Sequence, residues 1–189
     1  MTQAEFRQLM MLSYVAPRAA ARYWIDQRLP LVLICQALLL MAVVLTLIGG
    51  LEHAMAQDQP PPQLAGGNQF SVVLVHAVLL LVPAALIHVI GERSRSTARF
   101  ADAILMIVWL QFVLLPIQIA ATLTLGAGSG LTDAILFVYV AVTFWLLTHF
   151  VTELHGYKSR MNVFLGILTV SIVLGLMLIP FIDPSFAGA

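Results

Sequence analysis

Charge is what this chain has least of. Only 10% of its 189 residues are Asp, Glu, Lys or Arg, while 61% are apolar, and the mean hydropathy is +0.98. A soluble domain averages roughly a quarter charged residues, and a globule of this size cannot bury so much apolar surface. Nine basic residues cancel nine acidic ones, so no excess positive charge points to nucleic acid. The one cysteine, Cys35, excludes an internal disulfide, and no Cys/His cluster has the spacing of a zinc site. There is no G-x-S-x-G, no H-E-x-x-H and no acid pair placed for hydrolysis. The reading is therefore non-enzymatic, with no cofactor. The strict alternation of a barrel strand is also missing. No small-residue cleavage site follows the first apolar run, and Pro17 interrupts the polar head, so the first span reads as retained rather than as a removed leader.

Long apolar runs take the place of these signals. A helix crossing roughly 30 Å of hydrocarbon needs about 20 apolar residues, and lipid leaves helix as the sensible conformation. Five stretches qualify: Leu29–Leu51, Phe70–Ile90, Ala101–Leu125, Leu131–Val151 and Asn162–Ile182. The expected fold is all-α, a polytopic membrane helix bundle with five transmembrane helices. Residues 1–28 form an amphipathic head, 29–182 the membrane domain and 183–189 a short external tail.

The basic residues occupy alternate connections. Arg7, Arg18, Arg22 and Arg28 lie in the head, Arg93, Arg95 and Arg99 in the second connection, and Lys158 and Arg160 in the fourth. Lys and Arg are held on the cytoplasmic side of short loops. The N-terminus is thus expected inside and the C-terminus outside, in a bacterial inner membrane. Glu52, Asp58, Asp133 and Asp183 fall on the outer face, and the inner face keeps nine basic and five acidic residues. That inner surplus is expected to meet anionic lipid headgroups.

The outer connections read as soft. Residues 57–69, QDQPPPQLAGGNQ, are rich in proline and glycine. Residues 126–130, GAGSG, lack the lysine, spacing and preceding strand of a phosphate-cradling loop. In the head, Phe6, Leu9 and Met10 share one helical face. Pro17 opens a second piece in which Ala20, Tyr23, Trp24 and Gln27 lie on one side and Arg18, Arg22 and Asp26 on another. Arginines outward and aromatics inward suit a helix in the headgroup layer. A helix packed on the bundle is the alternative.

Three stretches, PRAAARYWIDQRLP (17–30), WLQFVLLPIQ (109–118) and FWLLTHFVTELHGYKS (144–159), resemble bacterial members of the Ypt-interacting protein (Yip) family, over about residues 10 to 182. The resemblance implies a five-helix integral membrane protein without known catalysis, whose eukaryotic relatives bind Rab-type GTPases. This chain lacks their long cytosolic head and their DLYGP-type segment, so no binding residues are carried over.

Polar residues inside the apolar runs are uncommon and each has two readings. His76 and Gln118 are expected at matching depths, roughly 9 to 10 Å below the outer boundary. They can be an interhelical hydrogen bond or part of a proton or solute relay. Gln111 and Gln118 share a helix face with Thr122. Absence of Asp, Glu, Lys or Arg near the middle of any span argues against an ion-coupled pump. Pro83, Pro116 and Pro180 kink or end helices, and Ser171 and Gly175 offer a small-residue contact face. His88/Glu92 and His149/Glu153 repeat an i,i+4 pairing at one membrane level. Such pairs can bind metal, or can simply cap helix ends, with their acids paired to Arg93, Arg95, Lys158 or Arg160. The function expected is association: a scaffold, membrane organiser or accessory subunit, partnered by another membrane protein or by itself. A small-solute or proton carrier using His76, Gln111 and Gln118, and a metal-dependent membrane enzyme, are the alternatives.

Overall fold

A computed structural model describes residues 2–55, 68–93, 98–125 and 129–182, without the side chains of 93, 129 and 177–182. Most of the proline-rich linker, Asp58, Arg95, residues 126–128 of the GAGSG turn, Asp183 and the tail lie outside the described residues, as do the side chains of Arg93 and Pro180.

The described residues are all-helical: α1 Gln3–Val15, α2 Pro17–Asp26, α3 Leu31–Met55, α4 Gln69–Arg93, α5 Phe100–Leu123, α6 Ser129–His155 and α7 Arg160–Ile182. Helices α3 to α6 are long and apolar enough to cross a membrane, and α7 is apolar over Arg160–Leu176.

Local chemistry sets the ends. Thr2 and Glu5 form a capping box at α1, with the Thr2 N–H donating to Glu5 Oε2 at 2.6 Å and the Glu5 N–H to Thr2 Oγ1 at 3.3 Å. The same backbone donor holds the Glu5 carboxyl below its ordinary value. Pro17 opens α2. At the start of α5, Asp102 accepts from the Arg99 N–H at 3.2 Å and from its guanidinium at 2.7 Å. Gly156, at φ 66, ends α6. Its N–H donates to Glu153 O, and that of Tyr157 to Thr152 O, the paired bonds of a Schellman cap.

The expected span Leu29–Leu51 is displaced. Arg28 turns the chain at φ 43 and Pro30 precedes α3, so the helix starts later. At the other end it continues through Glu52 and His53 to Met55. Falling hydropathy marks the edge of the hydrocarbon but does not stop backbone hydrogen bonding. Glu52, expected in a loop, is therefore a helical residue.

Helix α5 is the axis of the fold. Over half of its apolar window is buried, 56%, against 28%, 17% and 22% for α3, α4 and α6. A helix apolar on every side belongs at the centre, and α5 packs on α3, α4 and α6 while α7 packs on α6.

The head is folded onto this bundle. Leu9, Ala20 and Ala21 join the main core. Trp24 meets Trp109 with ring centroids 4.9 Å apart, and Phe6 lies edge-on to Phe112 at 5.4 Å. Trp109 Nε1 donates to Ser13 Oγ at 3.0 Å, and the Tyr14 hydroxyl donates to the Val113 carbonyl. Burial pushes the Tyr14 phenol up. Trp109 is about 13 Å along α5 from Phe100. Of the face expected inward, Ala20 is buried and Trp24 reaches the core, but Tyr23 and Gln27 are exposed, and Arg18 and Arg22, expected outward, turn to Glu153 of α6; periodicity names no partner.

Candidate functional site

Two polar regions occupy opposite ends of the bundle. At the basic end, Arg18 Nε lies 2.7 Å from Glu153 Oε2, and Arg22 grips Oε1 through both Nε, at 2.7 Å, and Nη2. The Glu153 side chain is only 8% exposed, and its carboxylate holds the Arg22 guanidinium above its ordinary value. Glu153 thus pairs with the head rather than with the basic residues of the neighbouring connections.

The two His/Glu pairs do not converge. His88 Nε2 is 3.2 Å from Glu92 Oε1, and His149 Nδ1 is 2.7 Å from the Trp145 carbonyl. Among the described residues, no three His, Cys, Asp or Glu side chains come together as a metal site would need. Of the remaining basic positions, Arg28, Arg99, Lys158 and Arg160 are exposed.

The second region is a cavity of about 230 Å³ between α3, α4, α5 and α6, lined by Leu45, Gly49, Glu52, His76, Leu79, Leu80, Gln111, Gln118 and Tyr139. His76, Gln111 and Gln118 do meet here. Helical spacing explains the gathering: Leu45, Gly49 and Glu52 share one face of α3, and Gln111 and Gln118 lie two turns apart on α5. Gly49 borders open space, where a Cβ would meet nothing within 4 Å. Proline breaks the backbone ladder beside it, at Pro83 in α4 and Pro116 in α5.

The hydrogen bonding makes this cavity rich in acceptors. Thr46 Oγ1 donates to Ala42 O at 2.8 Å, so it accepts from His76 Nδ1, 3.1 Å away. The Val72 carbonyl, 3.1 Å from the same nitrogen, also requires Nδ1–H. That assigns the lone pair of the neutral ring to Nε2. Glu52 Oε1 accepts from the buried Thr122 hydroxyl at 2.9 Å, which also reaches Gln118 O at 3.1 Å. Gln118 Oε1 is buried with no hydrogen-bond partner among the described residues. Glu52, His76 and Gln118 thus bring a carboxyl group, an imidazole and an amide to one small space, beside the Gln111 amide and the Tyr139 hydroxyl, chemistry that suits a proton or a compact cation with N–H donors.

The cavity is closed toward the basic end. Ala77, Leu80 and Ala84 of α4, Trp109 and Leu110 of α5, and Leu146 and Phe150 of α6 are all buried there. The sequence reading missed Glu52, Thr46 and Tyr139. For Glu52 a signal existed: it continues the i, i+4, i+7 face of Leu45 and Gly49, had α3 been extended by one turn.

No protein-family model, curated protein or solved structure matches this chain. What the fold defines is a class: an all-helical bundle with several membrane-length helices.

Proposed function

We propose that this chain is a non-enzymatic, five-span membrane protein that binds a proton or a small organic cation in the Glu52–His76–Gln118 cavity. The reading rests on one observation: three acceptor groups from three helices face a single cavity in an otherwise apolar bundle. Buried polar groups ordinarily find partners, and an acceptor left over in a membrane is a functional signal. Entry is from the face opposite the basic residues, because the other side is packed.

The five crossings count α7 as the last. Placement in a bacterial inner membrane, with the N-terminus cytoplasmic and the C-terminus periplasmic, rests on the alternating basic residues. Membership of the Yip family rests on the three sequence stretches alone. The test is binding of methylammonium to the purified chain, read by thermal stabilisation between pH 5 and 8. Wild type is expected to gain several degrees, and Glu52→Gln to lose the gain. Equal behaviour of the two proteins overturns the assignment.

The second reading is a scaffold, membrane organiser or accessory subunit bound to another membrane protein or to itself. It draws on α7, which packs on α6 while Met161, Leu165, Ile172 and Leu176 stay exposed. Crosslinking in native membranes tests it, and a chain that is always solitary rules it out.

A further inference from the structure

A larger groove, of about 790 Å³, separates α4 from α7 above a floor of α6. It arises because α7 leans on α6 and makes no comparable contact with α4. Its walls are mostly apolar, with Leu86 and Ile90 on one side, Ile167 and Val170 on the other and Val151 beneath, Thr169 and Ser171 being the polar exceptions on α7. Polar groups gather at the basic end, where Tyr157, Lys158, Ser159 and Asn162 form the rim. The exposed Lys158 ammonium is the cation there among the described residues.

Three properties select the occupant. Apolar walls do not hold ordered water. From Asn162 to Leu174 the groove runs about 18 Å along α7, close to the roughly 15 Å of hydrocarbon in one leaflet. An extended acyl chain of that length follows such a channel. A cation at one end only calls for an anionic group at one end of the chain.

We propose that this groove is a binding site for one anionic phospholipid, its acyl chain lying between α4 and α7 and its phosphate beside Lys158 and Asn162. Lipid of the leaflet at the basic end fills a gap that protein leaves open, and it props α7 away from α4. The site is separate from the Glu52 cavity and does not depend on what that cavity binds.

Native mass spectrometry of the full chain, released from nanodiscs of mixed phosphatidylglycerol and phosphatidylcholine, tests the assignment. One retained phosphatidylglycerol per chain is expected. Lys158→Gln should weaken that retention about five-fold, the effect of one basic residue near an anionic headgroup. Val170→Trp, which fills the groove, should abolish it while circular dichroism stays unchanged. Equal retention of both lipids by wild type and Lys158→Gln overturns the proposal. So does rapid disulfide formation between Leu86→Cys and Val170→Cys in membranes of a Cys35→Ser chain, since it means α7 closes on α4 with no lipid between.

Discussion

Glu153 and Glu52 sit toward opposite ends of one bundle and are treated in opposite ways. Glu153 is nearly out of reach of solvent, yet both its oxygens are taken by arginines of the head. Among the described residues Glu52 receives a single threonine hydroxyl and faces a cavity in which Gln118 Oε1 also has no partner. A carboxylate with a full set of partners holds a structure together. One with spare capacity is available to something that comes and goes. The first belongs to the fastening of the head, the second to a binding site.

Substitutions should divide along that line. The largest loss is expected for Trp109→Ala, which removes the ring touched by Phe6, Trp24 and Phe112 and the hydrogen bond its indole donates to Ser13 Oγ. Large-to-small changes of this kind cost about 3–5 kcal/mol, measurable by unfolding in mixed micelles, and residues 1–28 should become sensitive to protease. Next comes the double change Arg18→Ala with Arg22→Ala. It leaves a buried carboxylate without partners, but Arg22 is 68% exposed and its share is screened, so about 2 kcal/mol is expected. The head should be released there as well. If it stays protected, the aromatic contacts alone hold it and the contrast between the two glutamates weakens.

The smallest effect should carry the opposite sign. Gln118→Leu replaces a buried amide oxygen without a partner by an apolar group of similar size. Such changes are neutral or stabilising, by up to about 1 kcal/mol, and this one should reduce methylammonium binding. A clear loss of stability would mean that Gln118 is structural glue after all, and the cavity would lose one of its three acceptors.

Much of this architecture is legible in the residues. The apolar runs find α3 to α7 within a few residues, because length and hydropathy are local properties. The head's inward face is legible only in part: Trp24 and Ala20 share a side of α2 and face the bundle, while Tyr23 and Gln27 of that side are exposed. What cannot be read locally is who meets whom. The Arg22–Glu153 pair spans 131 residues, and no periodicity in either segment announces it. Glu52 was hidden by a related limit. Its charge reads as the end of a span, whereas the backbone continues past it and turns it inward. His76, Gln111 and Gln118 were visible as a group because each is conspicuous in its own apolar run.

One contact near the basic end has a mechanical meaning. Gly91 of α4 is buried against the His155 ring of α6, so closely that an added Cβ would overlap it. With no room for a methyl group beside that ring, the two helices are held close at this crossing. Movement of one against the other is expected to swing about it, as a lever swings on its fulcrum. His76 is roughly 22 Å up α4 from that point. A tilt of about 10° carries the imidazole roughly 4 Å, further than a hydrogen bond is long.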